Sequence, residues 1–246
     1  MNADLQELVG LWVYLTGSPL AGLTLTLVAY CVGYWLYTRA GLNPLVNPVL
    51  VAVLLIAGAL TLTRTAYKTY FDGAQFVHFL LGPAVVGLAV PLARQWPSVR
   101  RLAVPIVGAL AVGSVVAVAS VVAIAWVLGA SPSTLVSLVP KSVTAPIAMG
   151  IAEKIGGLPA LAAVFAVLTG ITGAAIGKYV FDAIGVRDMR ARGFALGVAA
   201  HGIGTARAFQ VNLEAGTFAG LGFGLHGVLA AFLFPLLYAL VLRLGW

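Results

Sequence analysis

The sequence predicts an all-α polytopic membrane protein with about seven spanning helices, plus a re-entrant or broken segment near 131–154 and a broken helix near 191–213. Three observations carry that prediction. Hydrophobic residues make up 61% of the 246-residue chain and charged residues 9%, too little polar surface for a water-soluble domain of this size. Uncharged stretches long enough to cross about 30 Å of hydrocarbon recur along the chain. Other apolar segments are interrupted by ionisable residues, hydroxyls, glycine and proline, which are tolerated at membrane depth only where protein or water satisfies them.

The uncharged stretches run from about Leu20 to Tyr37, Leu45 to Thr63, Gly73 to Ala93, Leu102 to Leu128, Ile155 to Gly177 and Ala215 to Leu242. The start, residues 1–15, carries Asp4 and Glu7 and lacks the basic region and cleavage site of a signal peptide, so it is expected to remain as an amphipathic segment. Ser131 to Lys154 and Ala191 to Leu213 are the interrupted pieces, holding Lys141, Pro146, His201 and Arg207.

The formal charge of +7 is dispersed among short loops, which points to topology and to the lipid bilayer as partner, not to nucleic acid. The most basic loops, Arg94 to Arg101 and Lys178 to Arg192, belong in the cytoplasm by the positive-inside rule. The segment Ser131–Lys154 must then begin and end outside, and about 24 residues at 1.5 Å per helical residue cannot cross twice. A re-entrant excursion follows. This topology puts Arg39, Arg94, Arg100, Arg101, Lys178, Arg187, Arg190, Arg192 and Arg243 inside and Arg64, Lys68 and Lys154 outside. Lys141 and Arg207 are left within the membrane, the N-terminus lies outside and the C-terminus inside. A weak internal similarity between Phe79–Gly87 and Val167–Gly173 suggests a repeat, commonly inverted in transporters, whereas the charges orient these helices in parallel.

Three polar clusters interrupt the apolar pattern. Tyr70-Phe71-Asp72-Gly73-Ala74 precedes His78 and the Gly82-Pro83 break; Asp72 reads either as a helix cap in an aromatic belt or, with His78, as part of a proton or ion path. Pro140-Lys141-Ser142-Val143-Thr144-Ala145-Pro146 gathers a cation, hydroxyls and a proline that withholds an amide donor, ahead of a half-helix whose N-terminus favours an anion. The alternative is a surface cap with Lys141 snorkelling. In Ala200-His201-Gly202-Ile203-Gly204-Thr205-Ala206-Arg207, Gly202 and Gly204 permit close backbone approach, His201 is of the residue type whose ordinary titration lies near physiological pH, and the Arg207 fork matches a carboxylate. Arg207 could instead pair with Glu214, and His201 could be a satisfied core residue. His226, alone among Gly and Leu, reads as packing, and Gly220, Gly222 and Gly224 as a helix-packing stripe. Cys31 excludes an intrachain disulfide, and no catalytic carboxylate pair, phosphate loop, dinucleotide fingerprint or metal-spaced cluster occurs. No enzyme, cofactor or metal site is expected.

These motifs together resemble the LrgB/CidB/YohK family, which includes the LrgB-like half of the plastidal glycolate/glycerate translocator. The resemblance rests on Tyr70–Ala74, Leu80–Ala84 through Leu88–Leu92, Pro140–Met149, Gly156-Gly157-Leu158-Pro159 and Ala200–Ala208, in that order. It implies a single LrgB-like transmembrane domain over residues 1–246, in the cytoplasmic membrane, beside a small LrgA/CidA-like membrane protein, and leaves homo-oligomerisation open. It also implies one of two activities: modulation of murein hydrolase export and autolysis, by analogy with holins and antiholins, or transport of small carboxylates such as pyruvate, glycolate or glycerate. Gly150 departs from the family pattern of a polar or acidic residue, and His226 is unusual for its position.

The residues favour the carrier. Fixed cationic and hydroxyl groups in broken elements suit a substrate better than a pore. Arg207 would hold the carboxylate, aided by Lys141 and by the amides around Gly202 and Gly204, with Ser142, Thr144 and Thr205 bonding its other oxygens. His201, Asp72 or His78 would carry a coupled proton, with sodium the alternative.

Overall fold

The computed structural model describes residues 19–243; the expected segment 1–15 lies outside them, as does the His78 side chain. Every regular element among the described residues is a helix, and the chain divides into a compact unit ending at Ala89 and another beginning at Val90.

The first unit holds α1 (Pro19–Arg39), α2 (Pro48–Leu62) and α3 (Tyr67–Gly87). Asn47 starts α2, its Oδ1 accepting from the amides of Val49 and Leu50 at 2.8 and 3.3 Å. Bare Gly22 on α1 lies against the backbone of Tyr70, Gly73 and Ala74, and the Thr26 and Tyr70 hydroxyls meet at 2.8 Å. The Tyr70–Ala74 motif therefore packs helix on helix. Two expectations are corrected here. Asp72 does not cap a helix: α3 begins five residues earlier, at Tyr67, and Asp72 is exposed on it. Gly82 and Pro83 do not break α3, which runs on to Gly87 with Pro83 inside it, as apolar spans tolerate proline where local backbone adjustment re-satisfies the freed groups.

The second unit follows with α4 (Ala89–Arg94), α5 (Trp96–Arg101), α6 (Ala103–Val127), α7 (Pro132–Leu138), α8 (Ala145–Lys154), α9 (Pro159–Ala183), α10 (Met189–Val211) and α11 (Leu213–Arg243). α10 and α11 cross closely. A Cβ on Gly193 or Gly197 would overlap the backbone carbonyl of Ala215 or Ala219, so these small residues let the two backbones touch. Gly222 does the same against the Phe194 carbonyl oxygen, whereas Gly224 faces open space. The core against which α8 packs joins Val143, Ala148, Ile151, Ala152 and Ile155 to Ala162 and Ala166 of α9 and Ala230 and Phe234 of α11.

Residues 131–154 form two short helices joined by a turn. Ser131 caps α7, turns occupy 139–144, and α8 continues until Gly156, at φ +77°, turns the chain into α9. The Leu158 amide donates across 2.8 Å to Ser137 Oγ, joining the end of α7 to the start of α9.

Among the described residues five helices are long and apolar enough to cross a membrane: α1, α3 with α4, α6, α9 and α11. The stretch expected over Leu45–Thr63 forms the shorter α2, whose 15 residues span roughly 22 Å at 1.5 Å per residue. The remaining expected crossing is the interrupted α10. The chain is thus a multi-pass membrane protein with five candidate spans, and broken elements between them, among the described residues.

Candidate functional site

α10 breaks where its polar cluster begins. Ala200 (φ −123°, ψ 15°) and His201 (φ 42°, ψ −133°) leave helical geometry, dividing the element in two. A positive φ at a non-glycine residue costs of order 1–3 kcal/mol and persists only when the surroundings enforce it. Here they do. His201 is 4% exposed and its Nε2–H donates to the Ala166 carbonyl oxygen of α9 at 2.9 Å. Its own carbonyl accepts the Thr205 hydroxyl at 2.8 Å. Gly170 and Gly173 make room, since a Cβ on Gly170 would come within 2.7 Å of the imidazole and one on Gly173 within 2.6 Å of the Ala200 methyl.

The second interrupted segment meets this break. A carbon added to Gly202 would touch the Thr144 methyl at 3.8 Å. Thr144 is the N-cap of α8, yet its side chain makes no capping bond, so the first amides of α8 are not closed off by it. Ser142 is buried, and its hydroxyl accepts from Lys141 Nζ at 3.3 Å. Pro146 sits in the first turn of α8, where a missing amide costs nothing, and so marks where helix resumes. Gly204 packs instead on Ala200 and the Leu196 carbonyl. Lys141, Ser142, Thr144, His201, Gly202 and Thr205 thus surround the ends of two half-helices whose positive dipole ends favour an anion.

Arg207 goes elsewhere. It lines a cavity of about 250 Å³ with Lys178 and Arg192, a lining that includes neither Ser142 nor Thr144. The sequence reading that joined Arg207 to those hydroxyls is corrected on this point. Asp182 bridges the other two cations, at 2.8 Å to Lys178 and 2.5 Å to Arg192. At the nearby α10 N-terminus Asp188 caps the helix and takes two bonds from the Arg190 guanidinium, which holds its carboxyl down at about 2. Among the described residues no group of three or more His, Cys, Asp or Glu could hold a metal ion.

The LrgB-like family model matches residues 26–240, spanning both polar clusters and the helices that carry them. The chain belongs to the LrgB-like family. Its relatives include YxaC of Bacillus subtilis, 35% identical over 86% of this chain and 92% of that protein. A holin-like protein CidB of Staphylococcus epidermidis is 30% identical over 88% of this chain and 94% of its own. No solved structure matches at a significant level.

In this LrgB-like protein the sequence reading passed over four polar residues. Lys178 and Arg192 read as loop charges and line the Arg207 cavity. His226 read as packing, yet it is 1% exposed and its Nδ1 lies 2.9 Å from Ser114 Oγ on α6. An imidazole in a glycine- and leucine-rich span was the available signal.

Proposed function

We propose that this LrgB-like protein is a carrier of small carboxylates of the pyruvate, glycolate and glycerate class. It works by alternating access in the cytoplasmic membrane, beside an LrgA/CidA-like small membrane protein. One observation carries the reading: the interrupted helices α8 and α10 meet at Thr144 and Gly202, next to Lys141, Ser142 and His201. Discontinuous helices with inward N-termini bind anionic groups without needing a fully charged pocket in hydrocarbon. The carboxylate is assigned to the α8 and α10 half-helix amides, with Ser142 and Thr144 bonding its remaining oxygens. Arg207, Lys178 and Arg192 form a second cationic stop on its route. In the orientation set by the basic loops, the N-terminus is outside and the cavity at Lys178 faces the cytoplasm.

The CidB relative favours a second reading, a holin-like modulator of murein hydrolase export and autolysis. Vesicles carrying the purified protein, alone and with its small partner, separate the two. The carrier saturates with labelled glycolate, is inhibited by unlabelled acid and retains a trapped neutral dye. Dye release without saturable glycolate uptake would select the holin-like reading.

A further inference from the structure

His226 is a buried group that the carrier reading leaves unused. It projects from α11, touches Phe234 edge-on at 6.3 Å between ring centres, and bonds Ser114 through Nδ1. Its Nε2 is buried and has no hydrogen-bond partner, and the same is true of Nδ1 on His201. A buried polar atom left without a partner costs about 1–3 kcal/mol, and each such atom in a native fold calls for an explanation. Two occur here among the described residues, both on imidazoles.

The surroundings are one-sided in charge. Beside His226, α11 packs on the turn before α8 and on its first turns: a Cβ on Gly227 would meet Ile147 at 3.5 Å, and Ala230 and Phe234 share a core with Val143, so Lys141 of that turn and His201 of the break are the nearby titratable groups. α6 presents the neutral Ser114, and α9 presents the Ala166 carbonyl, already engaged by His201. The N-termini of α8 and of the second half of α10 add positive potential. Ser114 and Phe234, both touching His226, also border a cavity of about 480 Å³. An anion complements the cations and helix N-termini; the cavity itself is lined by apolar side chains apart from Ser114 and the Tyr238 hydroxyl.

We infer that His226 takes up a proton as a carboxylate enters the break, so that acid and proton cross together. This rests on the carrier reading. A cationic imidazole on the same side of the bundle core as Lys141 is repelled unless an anion offsets the two charges, so the carboxylate and the proton each favour binding of the other. The proton arrives from water and ends on Nε2, Nδ1–H donates to Ser114 Oγ, and a carboxylate oxygen accepts from Nε2–H. On release both leave, and no covalent bond of the substrate changes. Serine suits this role because its hydroxyl can accept or donate as the imidazole changes state.

Vesicles containing the purified protein and a trapped pH indicator test it with labelled glycolate, against protein-free vesicles. Wild-type protein should acidify the lumen in step with saturable uptake. His226→Gln, which fills similar space but holds no proton, should lose the acidification that accompanies each labelled glycolate taken up, read as protons moved per glycolate. Ser114→Ala, which retains the imidazole, should move the pH at which acidification is half-maximal. Proton movement unchanged in both variants would overturn the inference. Saturable wild-type uptake without acidification would overturn it while leaving the carrier intact, and no saturable uptake at all would remove both.

Discussion

The Nε2–H of His201 donates to the carbonyl oxygen of Ala166 across 2.9 Å, tying the break in α10 to the middle of α9. A carbonyl only accepts, so the neutral imidazole carries its proton on Nε2. Its Nδ1 is left as a bare, buried acceptor.

That arrangement depends on Gly170, whose absent Cβ leaves the space the ring fills. Gly170→Val should push the imidazole off Ala166 and cost about 1–3 kcal/mol, as overpacking of a fitted interior does. Thermal unfolding in detergent should show the loss, and His201→Ala in the same background should recover part of it. A Gly170→Val protein as stable as wild type would mean that the break is not held by this contact.

The close crossing of α10 on α11 gives a second expectation. Gly193→Leu and Gly197→Leu each drive a side chain into the backbone at Ala215 or Ala219, where no rotamer relieves the overlap. Each should destabilise the unit by more than Gly224→Leu, whose position faces open space. Equal melting temperatures for the three variants would contradict the packing described.

Much of this fold was legible because hydrocarbon punishes polarity: Lys141, His201 and Arg207 stood out inside apolar segments, and both segments prove to be interrupted. What a helix does beyond a break was not legible. The dihedrals of Ala200 and His201 reset the rotation of the residues that follow, so Arg207 turns toward Lys178 instead of Ser142. His226 was missed because its partner, Ser114, lies 112 positions away and neither neighbourhood is polar. Gly82 and Pro83 misled in the other direction, since a span can absorb one proline without ending.

The Thr144 hydroxyl is not spent on capping α8. Thr144→Val combined with Ser142→Ala should therefore weaken carboxylate uptake by about tenfold while changing the melting temperature little. A large drop in melting temperature with normal apparent affinity would assign these hydroxyls to structure.

Arg207→Lys replaces a planar fork with a point charge in the cavity it shares with Lys178 and Arg192. Losing a charged hydrogen bond of about 1.5–3 kcal/mol lowers affinity roughly tenfold to a hundredfold. Saturation curves for glycolate should show that change. Arg207→Ala at wild-type expression with an unchanged curve would take Arg207 off the substrate route.

Counterflow addresses the central claim most directly, because a carrier returns faster when loaded and a pore does not sense the far side. Vesicles preloaded with unlabelled glycolate should accumulate labelled glycolate above equilibrium, transiently, and Ser142→Ala with Thr144→Val should blunt the overshoot. Influx that is identical with and without internal glycolate, and equally open to a neutral solute of similar size, would contradict alternating access at the meeting of α8 and α10.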